Sequence, residues 1–316
     1  MSDSYRNEST WVQLQRYLPP AYRWEPGFAP TEESFHWRNS DIHVDRFENP
    51  ASPCKLILHH GVGTNGRLLQ LIAGAPLAKL GFEVAAVDMP LYGMTRNGEP
   101  GIRWEDWVEI GSEFLEREKS ADSRPVFLYG LSAGGMLAYN VACETRKVSG
   151  IIGMCFIDAR SPLARMRMSD RPRMDEVAFK MLAAMPDGML RNMRVPMKHL
   201  VKMKALVNDD RALRLLMKDK HSAGASVTLE FVDSMIQYPP TIAFEDFDLC
   251  PVLLTQPGDD RWTPFSVTEP FWRRLRAPKK IVTLDNSGHY PIEEPGLTQM
   301  RDAIAEFVRS PGIHGH

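Results

Sequence analysis

One short motif restricts the architecture of this chain more than any other, the sequence Gly-Leu-Ser-Ala-Gly at residues 130–134. An apolar run from Val126 to Tyr129 precedes it, and a helix-like segment from Met136 to Cys143 follows at once. A strand that turns sharply into a helix around a central serine is the setting of a nucleophile elbow. Glycines on both sides let the strand and the helix approach closely, because a Cβ there would clash. We therefore predict that Ser132 is a nucleophile at the tip of this turn.

Apolar runs typical of buried strands alternate with helix-like segments on both sides of the motif. The first two strands, 35–38 and 41–47, alternate in polarity and are predicted to form an antiparallel pair at a sheet edge. Strands that alternate with helices of ten or more residues predict an α/β fold, with a mostly parallel central sheet and helices on both faces. Buried strands are expected at 55–59, 82–87, 126–129, 150–157, 252–255 and 280–284, and helices at 67–80, 104–119, 264–276 and 296–308.

The alternation divides the chain into a core and two additions. Residues 160–245 contain three or four helical stretches without an intervening strand and are rich in methionine and basic residues, which predicts a helical cap inserted into the core. The core domain is then 34–159 together with 246–316. Residues 1–33 are irregular but rich in aromatic side chains, and we expect them to pack on the core as an N-terminal extension, because disordered tails are poor in aromatics.

Composition excludes several classes of protein. The formal net charge of −2 argues against a nucleic-acid partner. No apolar run approaches the roughly 20 residues that span a bilayer, and the polar start does not resemble a signal peptide. The four cysteines are scattered, which favours free thiols and a cytoplasmic protein. Assembly into a homo-oligomer is left open.

The strands late in the chain supply a candidate base and a candidate acid for Ser132. His289 follows the last strand, and Asp260 follows the strand before it. Their order after the serine is the one this kind of fold uses, with the acid holding the histidine that activates the nucleophile. Asp260 is preferred because it stands four residues before Pro264, and its neighbour Asp259 is the alternative. An ordinary surface histidine and a pair of helix-capping aspartates are the plainer interpretations.

The loop after the strand at 55–59 is predicted to complete an oxyanion hole. Its small residues, His-Gly-Val-Gly at 60–63, allow the backbone N–H of Val62 to face the serine, and the N–H of Ala133 would be the second donor. His60 is expected to orient this loop through a hydrogen bond.

Other residues near the predicted strand ends have less specific roles. Asp88 ends a strand and is expected to be a structural turn carboxylate, and Asp158 is a weaker alternative for the acid. His60, Trp262 and Tyr290 are candidate residues of the substrate pocket.

These motifs together resemble the α/β-hydrolase fold superfamily. Among its members the chain is most similar to serine hydrolases of the monoacylglycerol lipase and lysophospholipase type, although meta-cleavage-product hydrolases and cofactor-free haloperoxidases share the motifs. The resemblance covers roughly 35–160 and 245–310 and is carried by the elbow at 130–134, His-Gly-Val-Gly at 60–63, Asp-Met-Pro at 88–90 with Gly93, and Asp-Arg-Trp-Thr-Pro at 260–264.

The resemblance implies hydrolysis of a carboxylic ester, carboxylesterase-like or lipase-like, through an acyl-enzyme. The expected catalytic residues are Ser132, Asp260 and His289, and no metal or organic cofactor is needed. The expected substrate is a small-molecule or lipid-like ester with an apolar acyl group. A carbon–carbon bond, amide or lactone hydrolase and a perhydrolase use the same residues and stay open, as does a non-catalytic receptor that binds a ligand under the cap.

Overall fold

The computed structural model describes residues 4–184, 186, 188 and 190–310. Its main sheet has eight strands in the order β1-β2-β4-β3-β5-β6-β9-β10. All strands from β4 to β10 in this order are parallel, and the antiparallel pair β1 and β2 forms one edge. The strands are β1 Thr31–Trp37, β2 Ser40–Phe47, β3 Lys55–His59, β4 Glu83–Val87, β5 Val126–Leu131, β6 Gly150–Met154, β7 Arg194–Pro196, β8 Ser226–Thr228, β9 Val252–Pro257 and β10 Lys279–Leu284. The predicted α/β class with a mostly parallel sheet is confirmed.

Every residue of the inner strands β3, β4, β5 and β6 is buried, as expected when helices cover both faces of a parallel sheet. Helices α4 and α5 pack against each other, and so do α3 and α11. No helix in the described part of the chain is long and apolar enough to cross a membrane. The helices are α1 Thr10–Leu14, α2 Gly66–Leu69, α3 Ala75–Lys79, α4 Trp104–Ala121, α5 Ala133–Thr145, α6 Pro162–Met168, α7 Pro172–Ala183, α8 Asp210–Leu216, α9 Leu229–Gln237, α10 Phe265–Arg274 and α11 Gly296–Arg309, with short 3-10 turns at Tyr5–Asn7, Gln15–Tyr17, Pro20–Tyr22, Met197–His199, Met203–Ala205 and Phe244–Asp246.

The helix predicted at 67–80 is regular only at its two ends. Between α2 and α3 the chain makes a π turn at Gln70–Gly74. Pro76 lies two residues after this turn. A proline has no N–H to donate to the carbonyl four residues earlier, at Ile72, and this disfavours regular α-helical hydrogen bonding there.

Helices α6 to α9 lie between β6 and β9, where the cap was predicted. The expectation that this segment has no strand is wrong, because β7 and β8 form a small antiparallel sheet in which Val195 pairs with Val227. Three-residue strands are too short to show an alternating pattern in the sequence. The cap contacts the core through a hydrogen bond from the Tyr290 N–H to the Leu206 carbonyl, 2.8 Å, and through the Met203 side chain, which lies against Gly63.

The described residues of the N-terminal extension pack their aromatic side chains on the core. The rings of Tyr5, Trp11 and Trp24 lie 4.5, 4.7 and 5.5 Å from the Arg67 guanidinium. β1 already begins at Thr31, so the last part of the predicted extension belongs to the sheet. Residues 1–3 of the extension and 311–316 of the predicted core segment lie outside the described residues.

Asp88 is the centre of a buried polar cluster behind the loops that follow β3 and β4. Its carboxylate accepts the Tyr5 hydroxyl at 2.8 Å and the N–H groups of Gly66 and Met94 at 2.6 and 2.9 Å. The Nδ1 atom of His43 lies 2.9 Å from the same carboxylate. Asp88 therefore ties the extension, the start of α2 and the turn after β4 to one point, which agrees with the structural role expected for it.

His43 carries the positive charge that this cluster needs. Burial disfavours the charged imidazolium, but the carboxylates of Asp88 and Glu32 outweigh it and raise the pKa of His43 to about 10. The pKa of Asp88 is lowered, since His43 offsets the effect of burial on that carboxyl group. The folded protein therefore holds a proton on His43 at pH values where the unfolded chain releases it.

The first prediction concerns stability against pH. The stabilisation from His43 is complete below its ordinary pKa of 6.5 and is lost as pH rises to about 10. Wild type should lose about 1.4 kcal/mol of unfolding free energy per pH unit in this range relative to His43→Gln. Urea unfolding at pH 6 to 10 measures the difference. His36→Gln, at a histidine whose side chain is 71% exposed, should follow wild type. Parallel curves for wild type and His43→Gln would contradict the prediction.

Candidate active site

Ser132 occupies the turn between β5 and α5 in a backbone conformation that few residues adopt. Its φ and ψ angles are 61° and −122°. The Ser132 N–H donates to the Met154 carbonyl at 2.8 Å, and the Ser132 carbonyl accepts from the Gly135 N–H at 3.0 Å. These bonds join the turn to β6 and to the first turn of α5, so the surrounding structure holds the strained residue in place.

Two close backbone approaches shape the surroundings of Ser132. A Cβ on Gly130 would lie 2.0 Å from the Gly134 carbonyl oxygen, so only glycine lets β5 and α5 meet this tightly. A Cβ on Gly61 would lie 2.6 Å from the Leu131 carbonyl oxygen and 3.0 Å from the Ser132 Cβ. The loop after β3 therefore crosses directly beside the turn. This brings the backbone of Val62 and the first N–H of α5, at Ala133, to the same region.

Asp260 is the most heavily hydrogen-bonded of the predicted site residues. Its Oδ1 accepts the backbone N–H groups of Trp262 and Thr263 at 2.8 and 2.7 Å. Its Oδ2 accepts the Thr263 hydroxyl at 2.7 Å and lies 2.9 Å from His289 Nδ1. Burial alone would raise the pKa of Asp260, but His289 and the donors of Thr263 lower it to about 2. The carboxylate is therefore ionised at neutral pH.

Thr263 also belongs to the site, although it is not one of the predicted site residues. Its Oγ1 lies 2.7 Å from Asp260 Oδ2 and 2.9 Å from His289 Nδ1, so it touches both members of the acid–histidine pair. The sequence carries one signal for it. The cluster Asp-Arg-Trp-Thr-Pro at 260–264 places a hydroxyl three residues after the acid. A hydroxyl at this spacing can donate a hydrogen bond to the carboxylate that caps the same turn.

Cys155 lies on the other side of Asp260, and its thiol donates to Oδ2 at 3.5 Å. Cys155, Asp260 and His289 offer three metal-ligand atoms within 4.8 Å of one another. Burial and the neighbouring Asp260 raise the pKa of the Cys155 thiol well above its usual range. The thiol is therefore protonated at neutral pH and able to donate to the Asp260 carboxylate.

His289 is held on one side and open on the other. Nδ1 faces Asp260, and the ring lies 4.6 Å from the ring of Trp262. Nε2 is buried and has no hydrogen-bond partner among the described residues, and the same is true of Ser132 Oγ. The site therefore contains one buried acceptor and one buried hydroxyl that the rest of the described protein leaves unused.

His60 lies behind the loop that carries Val62. Its Nε2 accepts the Met89 N–H at 2.9 Å, and its Nδ1 lies 2.9 Å from the Gly61 carbonyl oxygen, which requires a neutral ring protonated at Nδ1. Burial lowers the pKa of His60 and keeps it neutral. The side chain therefore joins the loop after β3 to the turn after β4.

A pocket that is partly open to solvent begins at Ser132 and extends under the cap. His60, Trp262 and Tyr290, the candidate pocket residues, are not among the residues that line it. Trp262 packs on His289 instead, and the Tyr290 hydroxyl donates to the Leu68 carbonyl at 2.7 Å. The lining is largely apolar and comes from Val62, Trp104, Ser132, Ala133, Met136, Asn140, Ile157, Asp158, Ala159, Arg160, Met168, Val201, Met235, Tyr238 and Pro240.

The two alternative acids lie elsewhere. Asp158 is at the pocket wall, but both of its carboxylate oxygens bind the Arg160 guanidinium, at 2.8 and 2.9 Å. Asp259 is exposed, whereas Asp260 is buried beside His289. Of the three carboxylates, Asp260 is the one in contact with the histidine.

The sheet order, the strained turn after β5 and the residues gathered around it define a protein with the α/β-hydrolase fold. The sequence matches the alpha/beta hydrolase family over residues 56–306, and the chain belongs to that family. No curated protein sequence matched the chain.

Several solved structures are similar to this chain. A soluble variant of the monoglyceride lipase from Saccharomyces cerevisiae superposes with a TM-score of 0.70 at 15% identity, covering 91% of this chain and 98% of the lipase. The monoacylglycerol lipase from Paleococcus ferrophilus gives 0.62 at 20% identity, covering 84% and 98%. A carboxylesterase from Bacillus subtilis gives 0.60 at 16% identity, covering 96% and 97%. At these identities the similarity establishes the shared fold.

The second prediction tests the contact between the loop and the elbow. Gly61→Ala adds a methyl group 2.6 Å from the Leu131 carbonyl oxygen, so the loop has to move away from Ser132. The unfolding free energy should fall by about 1–3 kcal/mol, as for other overpacked sites. Gly101→Ala is the matched control, because its new Cβ would come no closer than 3.5 Å to the nearest atom. Equal urea midpoints for the two variants would show that the loop is not held against the elbow.

Proposed function

We propose that this protein hydrolyses carboxylic esters through an acyl-enzyme formed on Ser132. The observation that carries the proposal is a pair of buried atoms, Ser132 Oγ and His289 Nε2, that have no hydrogen-bond partner among the described residues. Asp260 holds the other nitrogen of the histidine. A serine hydroxyl needs a base to become a nucleophile, and a neutral imidazole nitrogen is such a base.

In the first half of the reaction, His289 Nε2 removes the proton from Ser132 Oγ as that oxygen attacks the ester carbonyl. The backbone N–H groups of Val62 and Ala133 stabilise the oxyanion that forms, each contributing about 3 kcal/mol to the barrier reduction. His289 then returns the proton to the departing alcohol, and the acyl group remains on Ser132. Water then attacks the acyl group on Ser132 by the same steps, with His289 moving the proton from water to Ser132 Oγ, and the carboxylic acid is released.

Asp260 acts throughout as an anion. Its carboxylate accepts from His289 Nδ1, which leaves Nε2 unprotonated in the resting state and aimed away from Asp260. Because the pKa of Asp260 is about 2, the carboxylate stays charged while His289 carries the transferred proton. Thr263 is a positioning residue, since its hydroxyl touches Asp260 and His289 and does not reach the reacting atoms in this scheme.

The pocket and the comparisons support the choice of a substrate class. The apolar walls beside Ser132 suit an apolar acyl group, and the similar structures include lipases and a carboxylesterase. We propose a lipid-like or small apolar ester. The four cysteines are free and buried, and a reducing cytoplasm is the compartment we propose.

The third prediction tests the nucleophile. Ser132→Ala should abolish hydrolysis of p-nitrophenyl butyrate, with a loss of at least 10³-fold, because no other group supplies the covalent intermediate. A fluorophosphonate probe should label wild type at Ser132, as read by peptide mass spectrometry. Ser112→Ala removes another buried hydroxyl, which lies outside the pocket and has no partner in the part of the chain that the structure describes, and it should keep full activity and labelling. Full activity in Ser132→Ala would overturn the proposed function.

The fourth prediction tests Thr263. Thr263→Val keeps the shape of the side chain but removes the hydroxyl that donates to Asp260. A hydrogen bond to a charged group contributes about 1.5–3 kcal/mol, so kcat should fall roughly 10- to 100-fold with KM little changed. Thr263→Ser should recover most of the activity because it restores the hydroxyl. Steady-state rates across pH 5 to 9 check both statements. Equal kcat values for Val and Ser variants would assign Thr263 a packing role only.

A further inference from the structure

The pocket beside Ser132 contains a second polar atom that has no hydrogen bond within the described part of the chain. Asn140 lies on α5 with 3% of its surface exposed, and its Oδ1 atom is buried without a hydrogen-bond partner among the described residues. Leaving a buried amide unpaired costs about 1–3 kcal/mol. An unpaired polar atom in a pocket wall is a position where a ligand group can supply the missing hydrogen bond.

Three other polar side chains of the wall, those of Asp158, Arg160 and Tyr238, already have partners. Asp158 and Arg160 bind each other in a bidentate ion pair, and the Tyr238 hydroxyl donates to Glu144 at 3.5 Å. Of the described residues that line the pocket, only Ser132 and Asn140 carry a buried side-chain polar atom without a partner. The first is the proposed nucleophile, so Asn140 is the polar group left for recognising the rest of the substrate.

The position of Asn140 on the helix sets its distance from the reacting bond. Ser132, Met136 and Asn140 are spaced by four residues and all line the pocket, so they lie along one face of α5. Eight residues at 1.5 Å per residue separate Ser132 and Asn140 by about 12 Å along the helix axis. The apolar side chain of Met136 lies between them.

We propose that Asn140 binds a hydroxyl group carried by the acyl part of the ester, away from the scissile carbonyl. This inference rests on the proposed function, since it places the acyl chain along α5. A hydroxyl group both donates and accepts, so it satisfies either end of the Asn140 amide. A carboxylate only accepts, and the one arginine of the pocket lining already binds Asp158.

The distance between Ser132 and Asn140 determines the position of the hydroxyl group on the acyl chain. The side chain of a helical residue leans toward the helix N-terminus, and a hydrogen bond adds its own length, so the gap that the acyl chain bridges is shorter than 12 Å. At about 1.2 Å per bond of an extended chain, the hydroxyl lies roughly five to eight bonds from the carbonyl carbon. The intervening methylene groups pass Met136.

The fifth prediction compares three esters that differ at the chain end. Wild type should hydrolyse p-nitrophenyl 8-hydroxyoctanoate with a higher kcat/KM than p-nitrophenyl octanoate, and the hemi-ester of octanedioic acid should be the poorest substrate. In Asn140→Leu the ratio of the first two values should fall about 10-fold, because the variant offers the hydroxyl no partner. Met136→Leu changes the same wall without a polar group and should keep the wild-type ratio.

The outcomes separate this inference from the function on which it rests. If wild type cleaves the esters through Ser132 but shows no preference for the hydroxylated one, or if Asn140→Leu keeps the preference, Asn140 has no role in recognition and the ester hydrolase stands. A preference for the carboxylate ester would also overturn the inference. If no ester is cleaved, the proposed function fails as well. The wild-type ratio tests the inference even where Asn140→Leu does not fold.

Discussion

The close meeting of three backbone segments at Ser132 is the constraint on which the site depends. β5 ends there, α5 begins there, and the loop after β3 passes beside both, with Gly130 and Gly61 leaving no room for a side chain. The strained φ of Ser132 persists because each neighbouring segment is itself fixed by the sheet or by hydrogen bonds. The same packing brings the loop that carries Val62 beside Ser132 and beside the first N–H of α5, at Ala133.

Two buried carboxylates keep the arrangement rigid from opposite sides. The Asp260 carboxylate accepts hydrogen bonds from Trp262, Thr263 and His289, and this orients the histidine. Asp88 collects donors from the extension, from α2 and from the turn after β4. Each is ionised in the interior because several donors and a nearby histidine compensate for the loss of water. The two histidines differ: His43 is surrounded by carboxylates and charged, whereas His289 has one nitrogen without a hydrogen bond from the described residues.

The sheet, the elbow and the order of Ser132, Asp260 and His289 are predictable from the sequence, because each depends on local patterns that recur at strand ends. The contact of Thr263 with Asp260 has a local signal in the cluster at 260–264. The contact of Thr263 with His289 and the position of Asn140 in the pocket wall depend on distances that no short pattern encodes. The link from Tyr5 to Asp88 joins residues far apart in the chain, and the sheet of β7 and β8 is too short to leave a periodic signal. The prediction that His60, Trp262 and Tyr290 line the pocket is wrong for a related reason. The aromatic side chains beside Asp260 and His289 pack behind the site, and much of the pocket wall comes from the cap and α5.

The order of the strands has a consequence for how the protein acquires its reactivity during folding. β5 lies at the centre of the sheet, whereas Asp260 and His289 follow the two strands at its far edge, β9 and β10. Long loops have to close before these residues reach Ser132, and such non-local pairing is slow. A partly folded chain with only the first half of the sheet would therefore carry an elbow without a base. In the proposed function, reactivity at Ser132 requires Asp260 and His289 to be in place, so it would report that both halves of the sheet have formed.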